Sequence, residues 1–266
     1  MSNFIALLTD FGDKDPYVAE VKGKIFSLNP EVKIIDITHH IPSFDVLAGA
    51  FCLYTCYVYL PKGTIFVAVI DPGVGTRRHI VLARVGDYWF LAPDNGLLSF
   101  FVWEGKINEL FFLKENPFFR VSSTFHGRDI FAPLAARLSV NPCPEEIYWQ
   151  RINVSELKLL NFPCPKISAQ AIEARVCYVD KFGNVILNVK NNQLNLKLAQ
   201  KGVVQDYPLK VIETYSDLEE GAVGLLYGSH GFLELCLKQK SCSNLLQLSS
   251  GSKVTIYFDE QKKYSS

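Results

Sequence analysis

The residues best placed to do chemistry stand at or near the ends of apolar runs. Asp10 follows Phe4–Thr9 (FIALLT), Asp71 follows Thr64–Ile70 (TIFVAVI), and Asp36 lies inside Val32–Thr38 (VKIIDIT). Phe11-Gly12 comes directly after Asp10, and a glycine there lets the backbone approach a ligand closely. A carboxylate in that place suits the two hydroxyls of a ribose, and equally suits a turn or a helix cap. Asp71 opens the loop Asp71-Pro72-Gly73-Val74-Gly75-Thr76-Arg77-Arg78. A carboxylate and an arginine on one short loop can grip a small polar species, or simply close the turn as an ion pair. The loop lacks the Lys-Ser/Thr of a P-loop and the full GxGxxG spacing, so a phosphate cradle is a weak match. His126 stands in Ser123-Thr124-Phe125-His126-Gly127-Arg128-Asp129, just before a helical pattern. A histidine there can act as acid, base or donor, or be an ordinary loop residue. His39-His40 with Asp10, Asp13 and Asp15 could be drawn as a metal site. HExxH and HxH spacings are absent, and Asp13 and Asp15 read as loop and cap residues. Among the aromatics, Phe44, Phe182 and Tyr215 sit beside turn residues and are the candidates for stacking on a purine.

The elements that must hold these residues alternate in type. Phe4–Thr9 is a continuous apolar run, as expected of a strand buried on both faces. Asp15-Pro16 reads as a helix start with Asp15 as cap, followed by Tyr17, Val18, Val21, Ile25 and Leu28 at helical spacing. Ser43 is expected to cap a second helix running through Tyr59. Strands are expected at 32–38, 64–70, 80–85, 88–92 and 107–113, with a hairpin at Gly86-Asp87 and a helix at 129–138. Strand, helix, strand, helix, strand in this rhythm predicts an α/β domain with a Rossmann-like, mostly parallel sheet over residues 1–145. Asn141–Pro165 is rich in proline and polar residues, which predicts a linker at 146–168. From 169 to 266 the pattern becomes short strands, at 174–179, 185–189, 209–213, 223–226, 232–237 and 254–258. That predicts a C-terminal antiparallel β-barrel domain.

Composition narrows the classes. A chain of 266 residues that is 48% hydrophobic and 20% charged has the makeup of an ordinary globular protein. Lys+Arg and Asp+Glu balance at 27 each, which argues against nucleic acid as a partner. The longest apolar run, Ala48–Leu60, is too short to cross a bilayer, and the first ten residues do not read as a secretory signal. A cytoplasmic protein without membrane attachment is expected. Seven cysteines without CxxC pairs give no disulfide or finger pattern, and Cys52 and Cys56 read as buried small residues.

Seven segments, taken together and in order, resemble the S-adenosylmethionine (SAM) hydroxide adenosyltransferase family, whose relatives include halogenating enzymes. They are Thr9–Gly12, Ile34–His39, Val69–Thr76, Ala92–Leu97, Thr124–Asp129, Asp180–Asn184 and Gly228–Gly231. The resemblance implies hydrolysis of SAM to adenosine and methionine, with no cofactor. It implies a trio of Asp71, Arg78 and His126 holding a water or hydroxide, the seven-residue step favouring Arg78 over Arg77. It places Asp10 on the ribose hydroxyls, Phe44 beside the sugar and adenine, and Phe182, Asn184 and Tyr215 around adenine. Asp180 would meet the methionine ammonium, and Ser229 with His230 the carboxylate. The halogenating relatives carry an arginine where this chain has His230. The family forms homotrimers whose active sites join the first domain of one subunit to the second of its neighbour. Three alternatives stand beside this reading: a non-catalytic SAM or adenosine binder, a halogenase, and a metal-dependent hydrolase of another nucleotide.

Overall fold

The alternating pattern of the first half forms a seven-stranded sheet in the first of two compact units, residues 1–160; the second unit spans 161–266. The computed structural model describes residues 4–258, apart from 117, 119, 120 and 197–200. In the first unit the elements run β1 (Phe4–Thr9), α1 (Tyr17–Leu28), β2 (Lys33–Thr38), α2 (Val46–Cys56), β3 (Ile65–Val69), β4 (Ile80–Val85), β5 (Tyr88–Pro93), α3 (Ser99–Trp103), β6 (Glu109–Leu113), α4 (Ala132–Val140) and β7 (Trp149–Arg151).

The strand order is β2-β1-β3-β5-β4-β6-β7, parallel from β2 through β5 and antiparallel beyond. The apolar runs of β1 and β3 are buried on both faces because helices cover both. Ile5 and Leu7 join Val21, Ile25, Phe131 and Leu134 in the core cluster beneath α1 and α4. Under α2 and α3 the packing is largely aromatic: Tyr54 stacks on Phe100, and Phe66 on Phe90. β1 lies between β2 and β3, so the chain leaves β1 in one direction and returns on its other side. The carboxyl ends of β1 and β3 therefore flank the topological switch point, where open α/β sheets bind ligands. Asp10 and Asp71 stand at those two ends.

Several boundaries differ from the sequence expectation. Pro16, not Asp15, occupies the cap position of α1, and no side chain bonds the first turn there. Asp45, not Ser43, caps α2, accepting the Ala48 N–H at 2.9 Å; the α-helix stops at Cys56 and a 3₁₀ turn carries on through Tyr59. Cys52 and Cys56 are half-buried on α2. The expected helix at 129–138 starts earlier, as a π-helical turn at Gly127–Phe131 that runs into α4. The segment expected as a linker supplies a strand, β7, because Trp149 packs into the first unit's core at the sheet edge.

The second unit contains β8 (Lys166–Ile167), β9 (Ala171–Val179), β10 (Val185–Lys190), β11 (Lys201–Val204), β12 (Tyr207–Val211), β13 (Val223–Tyr227), β14 (Phe232–Cys236), α5 (Cys242–Leu246) and β15 (Lys253–Phe258). Pairing of β9 with β10 closes seven of these strands into a barrel. All pairs are antiparallel except β12 with β13. Alternate residues such as Val176, Val185, Leu187, Leu233 and Leu235 fill the interior. No helix among the described residues is long and apolar enough to cross a membrane.

Candidate active site

At the end of β3 the sequence Asp71–Arg78 turns back on itself. Asp71 and Arg78 face each other with their side chains only 5% exposed. The Arg78 Nε donates to both carboxylate oxygens of Asp71, at 2.8 and 2.9 Å, and Nη2 donates to Oδ2. Arg77 is exposed. The same Nη2 lies 2.9 Å from Nδ1 of His126. Gly75 makes this meeting possible. Its φ is +78°, and a Cβ there would stand 2.5 Å from the carbonyl oxygen of Ser123. Only glycine lets the Asp71–Arg78 loop lie against the backbone of the loop that carries His126. The Phe131 ring lies under the guanidinium, 5.7 Å from its centre.

This geometry fixes the imidazole. An arginine only donates, so Nδ1 of His126 accepts and the ring proton sits on Nε2. Burial, with the Arg78 charge acting in the same direction, holds the His126 pKa below the ordinary histidine range, against weaker pulls from Asp71 and Asp129. The ring also sits at the positive end of the π-turn and α4, which disfavours imidazolium. The trio thus carries one negative, one positive and one neutral group.

Asp10 completes this end of the sheet. Its Oδ2 accepts the Phe44 N–H at 2.9 Å, and Phe44 is held at φ +67°, an unusual backbone for a residue with a side chain. Phe44 leaves its ring 69% exposed, on offer to a ligand. Burial raises the Asp10 pKa, the Phe44 hydrogen bond opposes that, and the charge of Asp71 adds to it. Thr9 accepts the Phe11 N–H and hydrogen-bonds His39 Nδ1 at 2.8 Å, tying the Asp10 turn to the end of β2. His39 is therefore engaged within the fold, with Nε2 3.1 Å from Asp36. His40 is exposed, 3.8 Å from Asp13. A cavity of about 250 Å³ is lined by Asp10, Phe44, Asp71 and His126, with Phe11 and Phe125. Phe11, Tyr17 and Phe125 pack edge to face, with centroids 5.2–6.1 Å apart, and form its apolar wall. The sequence reading passed over this wall, although Phe11 and Phe125 lie inside the motifs it quoted.

The barrel unit has its own groove, about 700 Å³, lined by Asp180, Phe182, Asn184, Tyr215, Ser229 and His230 among others. Asp180 Oδ1 accepts the N–H groups of Phe182 and Asn184, and Oδ2 accepts the Asn184 amide at 2.9 Å. Gly183, at φ +83°, closes this turn where a Cβ would collide with Ser241. The result buries Asn184 and projects Phe182, 70% exposed, with Lys181 Nζ 5.5 Å from its ring centre; Tyr215, 50% exposed, stands on the 3₁₀ turn Tyr215–Asp217. Ser229 and His230 sit at the exposed tip of the β13–β14 hairpin, closed by Gly228 N–H to Phe232 O at 2.9 Å. Every candidate in this half lines the one groove. Sequence reasoning missed Glu234, whose signal was a single acid inside the apolar run Phe232–Cys236.

The α/β unit carries at its switch point a sealed Asp71–Arg78 pair touching a half-buried His126, and the β-barrel carries an aromatic groove, the makeup of an enzyme. The chain matches the model of the SAM hydroxide adenosyltransferase N-terminal domain over residues 5–147 and of its C-terminal domain over 174–255. It belongs to the SAM hydroxide adenosyltransferase family. It is 33% identical to the (R)-S-adenosyl-L-methionine hydrolase of Thermus thermophilus, covering 95% of this chain and 98% of that one. The enzyme of the same name from Methanocaldococcus jannaschii is 30% identical, over 96% of each chain. A fluorinase of Nocardia brasiliensis is 27% identical, over 95% of this chain and 96% of that one. Among solved structures, a conserved protein from Thermotoga maritima superposes with a TM-score of 0.85 at 33% identity, covering 95% of this chain and 99% of that one.

Proposed function

We propose that this chain is an adenosine-forming SAM hydrolase, in which water attacks C5′ of SAM and methionine departs. The observation that carries the reading is the Asp71–Arg78–His126 trio, whose Asp71 and His126 line the cavity that also holds Asp10. The names of the hydrolase relatives support it, and extend it to the (R) form of the substrate.

The chemistry suits the trio. An oxygen nucleophile and a cationic sulfonium lose charge as they react, and the aromatic wall that limits water favours this loss. The departing sulfur becomes a neutral thioether, so no acid is needed. Activating the water is the harder part, since its pKa is ~15.7 in bulk. His126 has its Nδ1 lone pair engaged by Arg78, so its contribution is the Nε2–H, donated to the water oxygen. Asp71 retains acceptor capacity on its two oxygens and receives the water proton as the O–C5′ bond forms. The C5′–S bond breaks with its electron pair left on sulfur. Arg78 keeps Asp71 and His126 in register. Asp10 takes the ribose hydroxyls, and Phe44 flanks the sugar and adenine. Phe182, Asn184 and Tyr215 receive adenine, Asp180 the methionine ammonium, and Ser229 and His230 the carboxylate. The active protein is a cytoplasmic homotrimer in which each site draws on two subunits, and it needs no cofactor.

Incubation with SAM followed by chromatography tests the reaction. Adenosine and methionine should appear in equal amounts, undiminished by EDTA, and chloride or fluoride should yield no 5′-halo-adenosine. Bound but uncleaved SAM would leave a non-catalytic binder. Activity lost in EDTA and restored by a metal would make the enzyme metal-dependent. Sizing by light scattering tests the trimer, which a monomer mass would exclude.

A further inference from the structure

Glu234 is the one acid of the barrel groove without a task in the reaction as described. It lies in the middle of β14, between Leu233 and Leu235, which fill the barrel interior. Alternation along the strand therefore turns Glu234 the other way, into the groove lined by Asp180, Phe182 and Tyr215. It is 5% exposed. Its Oε1 accepts the Tyr215 hydroxyl at 2.6 Å, and among the described residues no hydrogen bond reaches Oε2. That oxygen lies near Gly228, at the foot of the turn bearing Ser229 and His230.

Glu234 is largely buried with one neutral donor, and its Oε2 stays open to the groove, where a cation would form a charge-assisted hydrogen bond with it. The groove's own ammonium does not: Lys240 Nζ is turned to Glu220, at 3.3 Å, and is largely exposed. Burial drives the Glu234 pKa up, the Tyr215 hydrogen bond opposes this, the nearby charge of Asp180 adds to it, and His230, when protonated, weakly opposes it. Asp180 itself already accepts three hydrogen bonds from its own turn. More acceptor capacity is therefore left on Glu234 than on Asp180.

We propose that Glu234, oriented by the Tyr215 hydroxyl, is a second anionic partner for the substrate's ammonium group and makes the groove selective for amine-bearing ligands. The inference rests on the groove receiving the amino-acid end of SAM. Glu234 is a specificity residue, and Tyr215 acts on the ammonium through it as a positioning residue.

Calorimetric titration of the full chain tests this with two unreactive ligands, S-adenosylhomocysteine and its deamino analogue, in which hydrogen replaces the amino group. The unsubstituted protein should prefer the amine. Glu234→Gln keeps an acceptor for Tyr215 but removes the charge. It should weaken the amine-bearing ligand about tenfold or more, the size of one charge-assisted hydrogen bond, and leave the deamino analogue unchanged. Equal weakening of both ligands, or of neither, would overturn the role of Glu234. Should Glu234→Gln fail to fold, Tyr215→Phe keeps the ring and the carboxylate. Because Tyr215 also receives adenine, both ligands can weaken, but the amine-bearing one should lose several-fold more than the deamino analogue, and an equal loss counts against the proposal. If the unsubstituted protein binds neither ligand, the functional reading itself falls, and this inference with it.

Discussion

The two pockets solve opposite problems with the same residue types. In the α/β unit the acid and the arginine neutralise each other, both nearly sealed from solvent, and their purpose is fixed geometry. In the barrel groove neither Asp180 nor Glu234 has an ion-pair partner among the described residues, and the rings of Phe182 and Tyr215 stand at least half exposed. The first pocket, about 250 Å³, is the smaller, and in the proposed reaction it would hold the ribose with the water beside it. The second is nearly three times larger and lined by exposed aromatic rings and two carboxylates. Preorganised charge serves reaction, and unsatisfied surface serves recognition.

Substitutions can break this contrast, and the largest effect is expected at Arg78. Arg78→Ala leaves a buried carboxylate unpaired and should cost about 3–5 kcal/mol of stability as well as turnover. Thermal and denaturant melts measure the first, and an unchanged melting temperature would mean that the pair is not structural. His126→Ala should fold normally and lower kcat by about 10²–10⁴-fold with KM within a few-fold. A large rise in KM instead would move His126 from reaction to binding. On the recognition side, Phe182→Ala should do the reverse, raising KM for SAM while sparing kcat, by the ~1–3 kcal/mol typical of a base stacked on an aromatic. Stopped assays at several SAM concentrations separate the two.

The smallest effect, and the one that sharpens the electrostatic picture, is the pH profile. The trio needs neutral His126, and its folded pKa is lowered. Activity should hold as pH falls past the ordinary histidine value of about 6.5 and drop only further into acid. The unfolded chain takes up this proton first, so stability contributed by the neutral ring is present above about pH 6.5 and is lost as pH falls through the folded value. An acid limb centred above 6.5 would contradict the Arg78 contact.

Much of this molecule was legible beforehand because local patterns carry it. Phe4–Thr9 and Thr64–Ile70 are short, nearly continuous apolar runs, as fits strands covered on both faces, and each is followed directly by an Asp that lines the cavity. The preference for Arg78 over Arg77, which came from the family resemblance and not from a local pattern, agrees with the observed Asp71–Arg78 pair, with Arg77 left in solvent. Helix caps were less legible: Ser43 was the expected cap, but the backbone path brings Asp45 to the first turn while Ser43 lines the cavity. The linker reading of Asn141–Pro165 failed at Trp149, because polar, proline-rich composition does not report that one large ring has a sheet edge to pack against.

By itself the sequence determined the order of elements and the residue types at their ends, since both follow from periodicity over a few positions. The tertiary structure alone decided which of those residues meet. Arg78 and His126 are 48 positions apart, and Tyr215 and Glu234 are 19 apart. Their contacts depend on how a glycine lets two loops touch and on which face of a barrel strand turns outward. No window along the chain contains that information, because it resides in the packing of segments distant in sequence.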